Sequence, residues 1–135
     1  MSGELVAVVD DDASARQSIA GLLRALGHHV AEYESGTDLL SARDLSTVAC
    51  IVADLRMPGV GGLELCQRLV TIGSPIPTIV VTAFPDRTSR ERARALGVVA
   101  YLTKPVTPDE LVASLRAAFG GSGANGSAAE TEEPE

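Results

Sequence analysis

Four charged positions stand at the ends of apolar runs. Asp10 and Asp11 follow Leu5-Val6-Ala7-Val8-Val9, and Asp54 follows Cys50-Ile51-Val52-Ala53. Lys104 is the only lysine, all other basic side chains being arginine, and it follows a third run in Tyr101-Leu102-Thr103-Lys104-Pro105. At the carboxyl ends of neighbouring parallel strands these groups would converge on one crevice, where ligands bind in open α/β sheets. Two like charges ~4 Å apart cost about 4 kcal/mol at a surface-like dielectric. A divalent cation together with an ammonium is the simplest way to keep such acids ionised.

The chemistry that suits this set is phosphoryl acceptance. A carboxylate can attack phosphorus and form an acyl phosphate, which makes Asp54 the candidate nucleophile. Mg²⁺ neutralises an incoming phosphoryl group while using few protein carboxylates and several waters. Asp11 is the expected direct ligand and Asp10 a ligand through water, with Asp54 and the backbone carbonyl of Arg56 completing the protein's share. Lys104 would hold a phosphoryl oxygen as a compact charge. Thr82 would donate to another, and Ala83 leaves room for the group to enter. Taken singly, each residue has an ordinary reading as a turn acid, a strand threonine or a surface lysine. Their order, each after a different apolar run, favours function.

The elements that must position them alternate along the chain. Strands are expected over 5–9, 29–33, 48–53, 78–82 and 99–103. Between them lie a helix capped by Asp12 or Ser14 with Ile19, Leu22, Leu23 and Leu26 in a stripe, and a brief helix over 36–43 capped by Ser35. A third helix should bury Leu63, Cys66, Leu69 and Val70. An arginine-rich helix follows over 87–96. The last helix opens with the capping box Thr107-Pro108-Asp109-Glu110 and buries Leu111, Val112, Leu115 and Phe119. Near-continuous apolar strands indicate a sheet covered on both faces, hence a doubly wound α/β domain with a parallel sheet.

At 135 residues the chain suits one domain. Aromatics are few, with no Trp, so the core must be aliphatic. The net charge is −7, but four glutamates in the last six residues leave the remainder near −3, which argues against direct nucleic-acid binding. Cys50 and Cys66 read as reduced core thiols of a cytoplasmic protein. The N-terminus has no secretory pattern and no apolar run spans a membrane. Composition changes at Gly120, so the expected division is a domain over 1–119 and a disordered Gly/Ser/Glu-rich tail or truncated linker over 120–135.

The strings Val8-Val9-Asp10-Asp11-Asp12, Asp54-Leu55-Arg56-Met57-Pro58-Gly59, Val81-Thr82-Ala83 and Tyr101-Leu102-Thr103-Lys104-Pro105 together resemble the CheY-like receiver domain of bacterial two-component response regulators. With Gly62-Leu63-Glu64-Leu65 they look most like FixJ/NarL-type receivers, and the likeness covers residues 4–119. It implies a (βα)5 flavodoxin-like fold with strand order 2-1-3-4-5, phosphorylation of Asp54 by a sensor histidine kinase, and Mg²⁺ at Asp10, Asp11 and Asp54. It also implies a switch through Thr82 and Tyr101, a cis Lys104–Pro105 bond, and output through the surface of helix 4, strand 5 and helix 5. That surface would signal to an output domain or partner. Gly61 departs from the commonest pattern, a change expected to leave the chemistry intact. Polar residues at the positions of Arg56 and Phe84 can orient a hydrolytic water in this family; Phe84 cannot, so slow self-dephosphorylation is expected.

Rival readings are a receiver-fold interaction module that is never phosphorylated and a small phosphatase with an Asp nucleophile. The first usually lacks an acid or the lysine, and the second has no room for a substrate pocket. A flavodoxin-like nucleotide binder would want a Gly-rich loop after the first strand. His28 and His29 read as a solvent-exposed pair, not a phosphohistidine site. Arg87, Arg90, Arg92 and Arg94 read as a solvated helix face, with a dimerisation surface as the alternative.

Overall fold

A computed structural model describes residues 4–124, with side chains to residue 120. Five parallel strands form one sheet in the order β2-β1-β3-β4-β5, built from β1 (Leu5–Val9), β2 (His29–Tyr33), β3 (Cys50–Asp54), β4 (Thr78–Thr82) and β5 (Ala100–Thr103). The helices are α1 (Ala13–Ala25), α2 (Gly36–Leu40), α3 (Gly62–Thr71), α4 (Arg87–Leu96) and α5 (Pro108–Ala124), with a short 3₁₀ turn at Leu45–Thr47.

Strand alternation sends successive side chains to opposite faces. Val6, Val8, Cys50, Val52, Ile79 and Val81 pack with Ile19 and Leu23 of α1 and with Leu111, Leu115 and Ala118 of α5. Ala7, Val9, Ile51 and Ala53 face Leu39 of α2 and Leu65 and Leu69 of α3 on the other side. A third cluster joins Val80 to Leu55, Leu63 and Ala93. Both cysteines are buried and unbridged, and burial pushes the Cys50 thiol up to about 12.

Local signals fix most boundaries. Asp12 caps α1 by accepting from the N–H groups of Ser14 and Ala15. Ser35 caps α2 through the N–H of Asp38. Gly97 ends α4 in the left-handed region at φ 78°, which a residue without Cβ adopts freely. The capping box of α5 is reciprocal: the Glu110 N–H donates to Thr107 Oγ1 at 3.1 Å and the Thr107 N–H to Glu110 Oε1 at 3.0 Å.

Several boundaries differ from the sequence reading. β3 begins at Cys50, not Val48, and it includes Asp54, which pairs with Val81. Val48 instead closes the 3₁₀ turn. α2 stops at Leu40, three residues early, where Ser41 and Ala42 fold into tight turn bonds to Thr37 and Leu39. β5 begins one residue late, at Ala100. Leu65, not Val70, faces inward from α3; Val70 is 55% exposed. Leu26 is the C-cap of α1 and is partly exposed, at 41%. α5 runs on through Ala124, beyond the composition change at Gly120; the rest of the expected tail, 125–135, lies outside the described residues. His29 is exposed as expected, but His28 is half-buried against Phe119, ring centroids 5.7 Å apart, with its Nδ1 shielded from solvent.

Candidate functional site

The parallel sheet brings its carboxyl ends together, and with them the charged set. Asp10, just past β1, is almost wholly buried, Asp54 at the end of β3 is nearly so, and Asp11 is exposed. One carboxylate oxygen from each can lie within 4.8 Å of the others. Lys104, just past β5, reaches across with Nζ 2.9 Å from Asp10 Oδ2 and 3.3 Å from Asp54 Oδ1. The Lys104–Pro105 peptide is cis. The other oxygen of Asp10 accepts from the Asp12 N–H at 2.9 Å, so both its oxygens are engaged.

Electrostatics at the crevice oppose one another. Burial pushes the Asp54 carboxyl up; the Lys104 ammonium pulls it back, while Asp10 and Asp11 add to the rise. Burial alone would favour the neutral amine of Lys104, but the hydrogen bond to Asp10 and the charge of Asp54 outweigh it, and its value rises. The pocket therefore holds excess negative charge that one ammonium compensates only in part. Hard carboxylate oxygens converging around a small gap are a donor set suited to a divalent cation, so the residues present fit a metal.

Thr82 ends β4, buried, with Oγ1 accepting from the Phe84 N–H at 3.1 Å. Its own hydroxyl proton stays available to a second acceptor. Phe84 projects into solvent, 73% exposed. Tyr101 on β5 is half-buried and tied to α4: its hydroxyl lies 2.5 Å from Ser89 Oγ and 3.3 Å from the Asp86 N–H, which donates to it. The Arg90 guanidinium sits over the ring, 4.5 Å from its centroid. Arg87 pairs with Glu91 at 3.6 Å, both highly exposed, and Arg92 with Glu64 at 3.8 Å. The α4 arginines are thus partly a solvated face and partly committed to neighbours.

Sequence reading missed three contacts. Arg16 donates from Nη1 to the Asp10 carbonyl at 2.8 Å and pairs with Glu32, steadying the turn after β1. Arg56 donates from Nη2 to Asp86 Oδ2 at 2.5 Å and to the Phe84 carbonyl at 3.2 Å. Asp86 is also the N-cap of α4, its Oδ1 accepting from the Ser89 N–H at 2.7 Å, and this bond with the arginine holds its carboxyl below the usual range. An Asp just before an arginine-rich helix is the one signal that could have been read.

A five-stranded parallel sheet of this order, flanked by five helices and carrying an acidic pocket at its carboxyl edge, defines a CheY-like flavodoxin-type domain. The response regulator receiver domain family matches residues 6–116, and the chain belongs to that family. The chain is 36% identical over 112 residues to the transcriptional regulatory protein FixJ of Bradyrhizobium diazoefficiens, covering 83% of this chain and 55% of that protein. It is similar to the crystal structure of FixJ-N, with a TM-score of 0.77 at 31% identity over 87% of this chain and 94% of that one. It is also similar to the BeF3-activated DrrB receiver domain, with a TM-score of 0.75 at 26% identity, covering 87% of this chain and 98% of that one. The chain spans about half the length of the curated relatives it matches. Among the described residues, no helix is long and apolar enough to cross a membrane.

Proposed function

We propose that this receiver, a cytoplasmic protein, takes a phosphoryl group from a sensor histidine kinase onto Asp54. The observation that carries the proposal is the convergence of Asp10, Asp11 and Asp54 on Lys104 at the carboxyl edge of the sheet. An Asp54 carboxylate oxygen attacks phosphorus in line, the O–P bond forms as the N–P bond to the donor imidazole breaks, and the leaving nitrogen keeps the electron pair and takes a proton. Lys104 can exchange its contact with Asp54 for one to a phosphoryl oxygen, and Thr82 can donate its free proton to another. Mg²⁺ bound by Asp11 and Asp54, by the Arg56 carbonyl, and through water by Asp10 would neutralise the incoming charge. The engaged oxygens of Asp10 suit the water-mediated role.

The chain acts as a signalling switch that catalyses only its own phosphorylation and dephosphorylation. Added charge at Asp54 draws in Thr82, and the change is read through Tyr101 on the surface of α4, β5 and α5, by an output domain, a partner or a second copy of the chain. The receiver extends through the end of α5 at Ala124. The test is incubation with acetyl phosphate and Mg²⁺, followed by intact mass. The parent should gain one phosphoryl group and Asp54→Asn none. Equal labelling of both would overturn the assignment.

A further inference from the structure

The loop after β4 is pinned from outside the phosphoryl pocket. Arg56 stands two residues beyond Asp54, yet its guanidinium turns to the Phe84 carbonyl and the Asp86 carboxylate. Those two anchor points lie two and four residues after Thr82. The Thr82 hydroxyl meanwhile accepts from the N–H of the same Phe84. The Asp86 N–H is held by the Tyr101 hydroxyl, and its other carboxylate oxygen caps α4. Residues 83–86 are therefore fixed at each end. A movement of Thr82 toward a group on Asp54 that keeps its bond to the Phe84 N–H would carry this loop with it, against the Arg56 contacts.

We propose that the Arg56–Asp86 clasp is a brake on activation: both are positioning residues that hold Thr82 back from the phosphoryl group. The inference rests on the phosphoacceptor reading of Asp54 and deepens it. The clasp contributes to the resting arrangement alone, so removing it raises the share of molecules ready to close on a phosphoryl oxygen. Apparent affinity for a phosphoryl mimic scales with that share. The pair is half-exposed, 55% and 43% at the two side chains, so its strength is that of a surface ion pair and the effect is modest. It is also screened by salt, unlike a packing effect.

Asp86→Asn isolates the charge, because Asn caps a helix as well as Asp does. The experiment titrates beryllofluoride with Mg²⁺ into the parent, Asp86→Asn, Arg56→Met and the double variant, and follows amide shifts of the loop after β4. The expected result is about two- to fivefold tighter binding by either single variant, the range an exposed pair supports. The double variant should be no tighter than Arg56→Met, which already removes the Asp86 contact together with that to the Phe84 carbonyl. The advantage should shrink toward parity in 1 M salt, while Arg56→Lys, which keeps the charge, should fall near the parent. Equal or weaker binding by Asp86→Asn, or additive gains in the double variant, would overturn the brake and leave the phosphoacceptor reading standing. Binding by Asp54→Asn as strong as the parent's would overturn that reading, and the brake with it.

Discussion

Replacing Lys104 by Met keeps the length of the side chain and deletes its charge. At an effective dielectric of 20 the contacts to Asp10 at 2.9 Å and Asp54 at 3.3 Å correspond to about 5.7 and about 5 kcal/mol of attraction. Carboxylate oxygens no more than 4.8 Å apart repel by at least about 3.5 kcal/mol on the same scale. Desolvation offsets much of the attraction, and breaking buried pairs by removing one partner costs ~3–5 kcal/mol. Lys104 retains some solvent contact, which places the expected loss near the low end, about 3 kcal/mol at pH 8. Acid relieves it. The Asp54 carboxyl is already raised in the folded protein, and losing the ammonium raises it further. The folded state then binds a proton more readily than the unfolded chain, so stability falls as pH rises through that raised value and recovers below it. At pH 5, protonating one ordinary carboxyl costs about 1.5 kcal/mol, which caps the loss. Urea unfolding followed by far-ultraviolet circular dichroism, in chelator, should show a midpoint deficit at pH 8 that halves at pH 5. Mg²⁺ at a hundred times its dissociation constant adds about 2.7 kcal/mol to whichever native state binds it. At one fixed Mg²⁺ concentration the variant, whose uncompensated acids bind the cation more tightly, should regain more than the parent does. A deficit independent of pH, or none at pH 8, would refute the electrostatic account.

Two further outcomes follow from the loops around the pocket. A Cβ at Gly61 would lie 2.4 Å from the Leu55 carbonyl oxygen and 2.9 Å from Glu64 Oε1, so Gly61→Ala should cost about 1–3 kcal/mol by urea midpoint. Gly120→Ala, with nothing within 4 Å, should cost nothing; equal midpoints for the two would refute the clash. Phe84 offers no hydrogen bond and Arg56 is engaged elsewhere, so neither side chain is placed to orient a hydrolytic water. The acyl phosphate on Asp54 should last minutes or longer in Mg²⁺, and a half-life of seconds, read by phosphate release, would refute this.

Strand number and element order were legible because buried parallel strands read as unbroken apolar runs and the turns between them carry caps and glycines. The pocket was legible because its members sit at strand ends, where sequence position nearly fixes spatial position. The remainder depends on packing between elements distant in sequence. Val70 and Leu65 both fit a helical stripe, and only the docking angle of α3 chooses between them. His28 carries no local mark of its contact with Phe119, which lies on the last helix. The loop length between β3 and α3 set Arg56 beside Asp86, thirty residues away, and no periodicity encodes such a meeting. Asp54 was read as the residue that stops its strand because acids usually do; the ladder to β4 keeps it inside.

The central strand and the residue just after it contribute to all three apolar clusters among the described residues. Cys50 and Val52 belong to the layer of α1 and α5, Ile51 and Ala53 to that of α2 and α3, and Leu55, next in the chain, to the patch beneath α4. Asp54 thus emerges from a wholly buried strand, whereas β5 lies at the margin with its residues only half covered. Under the phosphoacceptor reading proposed above, an adjustment at Asp54 would be taken up by the border strand and its neighbouring helices.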